Sequence, residues 1–530
     1  MKSSVKLYSK LIIFLGGVLM FIPFLGSVAL FDWDEVNFAE IAREMIVTKD
    51  YLNVQINYQP FWEKPPLFIW MQVLSMKLFG INEFAARFPN ALCGIVTLLV
   101  IFSIGKKLYS EKMGLIWVMV YTGSILPLFY FKSGIIDPWF NLFIFLGIYF
   151  GVVYLARAGG QSSRPTVLQS YSFLSGASIG LAILTKGPVA LLIFGLALFI
   201  FIIIQLFSSR PTVLKSSRPT VLPSYLLAAF LFLLGLILTG GSWFIVQIFA
   251  GNMDTVKDFI IYQVRLFSTK DAGHGGFPGY HIVILLLGVF PASAFLFGGF
   301  KASPDENMLQ KDWRRMMIIL LAVVIVLFEI VKTKIVHYSS MAYFPLTFLS
   351  SLYIFRIVEG KSPVSRTAKI IFTSLAVIWI MVIIGFTFAG LNKEWLMNSG
   401  WIKDPFAVAN LAADVHWSGW EVLVALVLGI GVLGFFVLKK PAFKIVSLFL
   451  GSLLFTFLTM TIFTGKIAGY TQQTPNEFYG QRVNEDCYIK TLGFKSYAHM
   501  FYGKTLPQEN PKANDNDWLL NGNIDNPAYF

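Results

Sequence analysis

Five carboxylates crowd the stretch Asp32-Trp33-Asp34-Glu35-Val36-Asn37-Phe38-Ala39-Glu40, closed by Arg43-Glu44. In such a cluster one carboxylate can serve as a general base that takes the proton of an acceptor hydroxyl. The same residues also fit a plain acidic face. Asp34, Glu35 and Glu40 would then be solvated on an amphipathic helix at a membrane surface, with Phe38, Ile41 and Met45 turned to its apolar side. A second group is Phe61-Trp62-Glu63-Lys64-Pro65-Pro66-Leu67. Two prolines restrict the backbone behind the Glu-Lys pair. Lys64 can pair with a phosphate, and Glu63 can hold an acceptor or a metal ion. Read blandly, the motif is a rigid turn with a surface ion pair.

The remaining candidates are more scattered. His274 lies in Asp271-Ala272-Gly273-His274-Gly275-Gly276 and could ligate a divalent cation. A hydrogen-bonded loop histidine is the simpler reading, and the chain has no close Cys/His ligand spacing. No other cofactor is implied. Lys186 fits a snorkelling lysine and a substrate contact equally well. His337 reads as structural, and His416 and His499 belong to no motif. Cys93 stands in an apolar run and Cys487 in a polar tail, so a disulfide between them is not expected.

These residues must be positioned by membrane helices. The 530 residues are 56% hydrophobic and only 13% charged. That excess of apolar side chains cannot all enter a soluble core. Windows of membrane length predict about thirteen spans, near 11–30, 88–104, 114–131, 138–156, 173–185, 188–207, 225–249, 280–299, 316–331, 338–355, 370–390, 420–438 and 445–464. The first reads as an uncleaved signal anchor. With the N-terminus cytoplasmic, more than half of the 42 Lys and Arg residues fall in the short inside segments, as the positive-inside rule requires. The net charge of +13 is thus mostly topological, and no nucleic acid partner is needed. The loop 31–87 and the tail then lie together outside.

Two organisational features remain. Ser-Ser-Arg-Pro-Thr-Val-Leu occurs at 162–168, 208–214 and 216–222, and such loop repeats read as tolerated low-complexity insertions. The chain divides into a membrane domain, 1–465, whose loop 31–87 is catalytic, and a small extracytoplasmic domain, 466–530. In the latter, 476–483 and 495–502 read as helix and 487–494 as strand. So short a tail is expected to dock on the membrane part as a small α/β cap.

The order Asp34-Glu35, Glu63-Lys64-Pro65-Pro66, Arg87, Asp137 and Lys186-Gly187-Pro188 resembles the bacterial lipid-A aminoarabinose transferases and the wider protein-mannosyltransferase-like group of the C-type (GT-C) glycosyltransferases. The resemblance implies an all-α polytopic membrane protein of GT-C type, with extracytoplasmic interfacial helices and a small C-terminal α/β domain. It makes Asp34 the catalytic aspartate, with Glu35 completing the motif and Asp137 a second acidic residue on the site's outer rim. Glu63 and Lys64 would line the site, and Glu63 could share a divalent cation with His274. Arg265 would hold the donor phosphate with Tyr338, helped by Lys332 or Lys334. At Asn37-Phe38 the family often has Arg-Tyr, so a related transferase is implied rather than the aminoarabinose enzyme itself.

The expected activity is hexosyl or pentosyl transfer from a polyprenyl-phosphate donor to a hydroxyl or phosphate of lipid A, a cell-surface glycan or a protein. It would occur at the extracytoplasmic face of the bacterial inner membrane. Direct displacement with Asp34 as base would invert the anomeric centre. The rival class is a transporter, which would use charged residues inside spans. Glu329 is the clearest such carboxylate, and no inverted repeat accompanies it.

Overall fold

The computed structural model describes residues 2–158, 165–207, 221–268 and 275–530. His274 and most of the three heptads lie outside these residues. The chain begins with α1 (Lys2–Phe21), then α2 (Asp34–Thr48) and α3 (Leu67–Phe79) in the first loop. There follow α4 (Glu83–Leu108), α5 (Glu111–Thr122), α6 (Ile125–Tyr130), α7 (Asp137–Ala158), α8 (Pro165–Lys186) and α9 (Val189–Phe207). Next, α10 (Val221–Leu236) continues through a π turn into α11 (Ser242–Phe249), followed by α12 (Met253–Ser268), α13 (Tyr280–Gly288) and α14 (Leu296–Gly299). Then come α15 (Met308–Ile330), a 3₁₀ turn Val336–Ala342, α16 (Tyr343–Val358) and α17 (Arg366–Leu391). Two short helices, α18 (Lys393–Asn398) and α19 (Pro405–Leu411), precede α20 (Leu423–Val437) and α21 (Pro441–Thr471).

Helix starts follow side-chain chemistry. Asn82, Ser110 and Ser365 accept from the amides of Ala85, Met113 and Ala368, and Asn307 with Gln310 forms a full capping box. Among the described residues nine helices are long and apolar enough to cross a membrane, or ten if the pair Tyr280–Gly288 and Ala292–Gly299, bent by 103°, is one span. All thirteen predicted segments contain helix, but not all make a full span. Helix α1 stops at Phe21, ahead of Pro23. The segment 114–131 breaks between α5 and α6. In α15, Arg314, Arg315 and Glu329 leave only the middle uncharged.

Helices α4, α7 and α16 are the most enclosed. Phe145 stacks on Phe344 at 4.3 Å, and the indole of Trp117 donates to Thr347 Oγ1 at 3.1 Å. By contrast α10 and α17 expose Leu226, Phe230, Leu233, Val377, Met381 and Phe388, the outward apolar faces that a lipid solvent allows.

Helix α2 differs from the wet acidic face that the sequence also permitted. Glu35, Glu40 and Glu44 are buried, together with Arg43. Arg43 grips both oxygens of Glu40 at 2.7 Å and donates to the Thr505 carbonyl at 2.7 Å. Glu44 accepts from the amides of Asn57 and Tyr58 at 2.6 and 2.9 Å. Those amides form the turn of a hairpin pairing β1 (Gln55–Ile56) with β2 (Gln59–Pro60). The acidic stretch is therefore largely internal wiring, because each buried carboxyl group has specific hydrogen-bond donors.

The tail holds α22 (Gln473–Gln481), α23 (Ala498–Gly503) and α24 (Asn516–Asn521). A parallel pair joins β3 (Tyr488–Ile489) to β4 (Ala528–Tyr529). It docks on α2, where Ala498 and Phe501 share a core with Phe38 and Ile41. The Leu30 amide also donates to Tyr502 Oη at 2.7 Å.

Candidate active site

A cavity of about 890 Å³ opens where the first loop, α8, the 3₁₀ turn Val336–Ala342, the end of α21 and the tail converge. Asp34, Glu35, Glu63, Lys64, Lys186 and Tyr338 line it. Its walls are otherwise mostly apolar, including Phe24, Leu25, Leu126, Phe129 and Ile136. Its rim near the tail carries Lys495 and Tyr497.

Asp34 is the first residue of α2. The preceding Trp33 adopts φ 72° and ψ −117°, a strained backbone for a residue with a side chain. That turn sets the Asp34 carboxylate at the helix N-terminus, where the helix dipole favours a negative charge. Its side chain is 41% exposed, towards the cavity.

Glu35, one residue on, points the other way. Arg87 holds both its oxygens, at 3.0 and 2.7 Å, and the amides of Phe31 and Gly134 donate to it. Arg87 also donates to the carbonyls of Leu25, Val28 and Ala29. Burial alone would raise the Glu35 pKa. The Arg87 charge and these hydrogen bonds outweigh it and leave the group below the usual carboxylate range. Glu35 thus clamps the α1–α2 turn, and Asp34 is the member of the pair that is open.

The Glu63-Lys64 pair sits at 4.0 Å in the loop before Pro65-Pro66. Gln263 of α12 donates to the Glu63 carbonyl at 3.2 Å. Lys64 lies 5.6 Å from the Tyr262 ring centre, and Arg265 lies 5.2 Å from the same ring. Arg265 is one aromatic ring away from Lys64 rather than in the cavity lining. Gly187 makes this approach feasible. It sits at φ +106°, and an added Cβ would stand 3.2 Å from both Phe259 and Gln263 of α12.

Asp137 begins α7 and is almost fully buried behind the cavity wall. Lys186, the last residue of α8, meets its Oδ1 at 2.5 Å and lies 5.1 Å from the Tyr338 ring centre. The two remaining candidate lysines lie outside the lining. Lys334 donates to the carbonyls of Phe328 and Glu329 at 2.7 and 2.8 Å, closing the end of α15. Lys332 is exposed. Glu329 accepts from the amides of Gly279 and His281 and pairs with Lys334 at 3.5 Å, so it fastens a loop. Among the described residues no group of three or more His, Cys, Asp or Glu side chains could hold a metal ion.

His337 is the residue that the sequence reading passed over. It lines the cavity with its Nε2 3.5 Å from Asp34 Oδ2 and 3.9 Å from Asp137 Oδ2. The three residues come from distant parts of the chain, and no local pattern around His337 signals the meeting.

Residues 63–238 match the family model described as dolichyl-phosphate-mannose-protein mannosyltransferase. The chain is 25% identical over 386 residues to the undecaprenyl phosphate-alpha-4-amino-4-deoxy-L-arabinose arabinosyl transferase of Pectobacterium atrosepticum, covering 72% of this chain and 64% of that protein. It is 26% identical over 360 residues to the like-named protein of Edwardsiella ictaluri, covering 65% of this chain and 59% of that one. The chain thus spans somewhat under two thirds of these relatives' length. The crystal structure of ArnT from Cupriavidus metallidurans bound to undecaprenyl phosphate superposes with a TM-score of 0.70 at 17% identity, over 93% of this chain and 84% of that one. The apo structure of the same protein gives 0.68. The chain therefore shares its fold with ArnT, and its sequence is similar to the bacterial aminoarabinose transferases and, over residues 63–238, to the protein mannosyltransferase model.

Proposed function

We propose that this protein is a membrane glycosyltransferase that moves a sugar from a polyprenyl-phosphate donor to an acceptor oxygen at the extracytoplasmic face of the inner membrane. The carrying observation is one open carboxylate, Asp34, facing an apolar-walled cavity that also presents the ammonium groups of Lys64 and Lys186. An amphiphilic donor needs that combination, with apolar surface for the chain and fixed cations for the phosphate.

In this reading the acceptor oxygen attacks the anomeric carbon as its proton passes to Asp34. The bond from that carbon to the phosphate oxygen breaks, and its electron pair leaves with the polyprenyl phosphate. Lys64 stabilises the departing charge, with Arg265 adjacent across Tyr262. Lys186 holds Asp137 at the rear of the site. Tyr338 faces the cavity as a phosphate or sugar contact. Glu63 orients the acceptor, and a divalent cation on Glu63 and His274 is tested by activity after chelation and metal add-back. The C-terminal segment, 466–530, closes the site as an extracytoplasmic cap carrying Lys495 and Tyr497.

The relatives' names favour a 4-amino-4-deoxypentose donor. Asn37 lines the cavity where a related arginine is common, which favours a different sugar or acceptor. Purified protein in liposomes, supplied with radiolabelled polyprenyl-phosphate pentoses and hexoses, decides between them. Lipid A, glycans and envelope proteins are compared by mass spectrometry with and without the gene. Transfer that Asp34→Asn leaves untouched would remove Asp34 from the reaction, and a retained anomeric configuration by NMR would remove direct displacement.

A further inference from the structure

We propose that His337 is a positioning residue for Asp34, an inference that rests on the transferase reading above. Its imidazole Nε2 faces Oδ2 of Asp34 at 3.5 Å and Oδ2 of Asp137 at 3.9 Å. Asp137 already has Lys186 on its Oδ1, and its buried Oδ2 has no hydrogen-bond partner. Asp34 is the only one of the two carboxylates open to the cavity. An Nε2–H shared between them pins one oxygen of Asp34 and leaves the other directed at the acceptor. Hydrogen bonds of this kind commonly tighten only when substrate closes the site.

The backbone turn that carries the imidazole is itself held. Ser340 Oγ–H donates to the His337 carbonyl. Asn141 donates to Ser340 Oγ at 2.8 Å and to Tyr130 Oη at 3.0 Å, and the Tyr130 and Ser340 hydroxyls meet at 2.7 Å. All three side chains are buried, so the 3₁₀ turn carrying His337 is fixed from α6 and α7. The charged groups facing the imidazole are Asp34 from α2, Asp137 from α7, Lys186 from α8 and Lys64 from the loop before α3. A fixed donor between a buried, lysine-paired aspartate and an open one is the outer support that a general base needs to keep its geometry. In the reaction Asp34 takes the acceptor proton, and His337 keeps its own.

The test joins kinetics with a spectrum that does not depend on activity. His337→Phe keeps the ring volume without the donor, and His337→Gln restores an N–H near the Nε2 position. We expect His337→Phe to lower kcat about 30-fold with the donor KM changed less than about 3-fold, and Gln to recover most of the loss. In Asp34→Asn the added Phe should cost nothing further, because the positioned group is already gone. The ¹⁵N-imidazole spectrum, with five histidines in the chain, should show the His337 Nε2 signal moving on Asp34→Asn. Equal rates for wild type and His337→Phe, or additive losses in the double variant, overturn the positioning role. So does a His337 signal indifferent to Asp34→Asn, which decides the point even if the Phe variant does not fold. Absence of transfer by the wild type with every donor overturns the transferase reading instead, and the spectrum still decides the contact.

Discussion

Asp34 and Glu35 are sequence neighbours with opposite surroundings, so substitution should separate them. Asp34→Asn keeps size and loses the base. Transfer is expected to fall by about 10²- to 10⁴-fold, with the melting temperature unchanged because the side chain is open to the cavity. Radiolabelled transfer and a thermal melt on the same preparation check both halves. Lys186 presents the reverse case. Lys186→Met strands the Asp137 carboxylate in a buried site, which should cost about 3–5 kcal/mol. Lys186→Met combined with Asp137→Asn should recover much of that loss in denaturant or thermal unfolding, since no uncompensated charge then remains.

Helix α2 acts as a spacer between the cavity and the tail, and its inner face is sensitive to pH. Burial, followed by the Glu40 charge, pushes the Glu44 carboxyl up to about 8, against the opposing bonds from the amides of Tyr58 and Asn57. A carboxyl raised in the folded state binds its proton more tightly there than in the unfolded chain. Its contribution is therefore complete below the unfolded value of 4.5 and is lost as pH rises through about 8. Melting temperature is expected to drop between about pH 4.5 and about pH 8, and Glu44→Gln should flatten that slope. A wild-type profile with the opposite slope would contradict the assignment. Gly187 tests the other flank of the site. Gly187→Ala is strained at φ +106° and crowds Phe259 and Gln263. It should weaken donor binding more than it lowers turnover, because it displaces the helix that steadies Glu63 and Lys64.

At the scale of the whole molecule the loop and the tail are one body on one side of the helices. Cys93 is buried in α4, and Cys487 is a partly exposed cysteine of the tail. A membrane-impermeant maleimide added to intact spheroplasts is therefore expected to label the protein at Cys487 alone, and Cys487→Ser should abolish the signal. Labelling that appears only after permeabilisation would invert the proposed orientation.

Composition and apolar run length were enough to establish a membrane protein of many helices, because solvent choice is set by side-chain type and the 1.5 Å rise of a helix. The Asp34-Glu35 and Glu63-Lys64-Pro65-Pro66 motifs were also legible, since their residues are close in the chain. Whether a carboxylate in 32–44 was solvated or wired was not legible. Glu35 answers to Arg87 some fifty positions on, and Arg43 to Thr505 at the far end. The meeting of Asp34, Asp137, Lys186 and His337 was likewise decided by how four elements pack. Burial and long-range pairing depend on neighbours from elsewhere in the chain, and only the folded arrangement makes the open carboxylate distinct from the held ones.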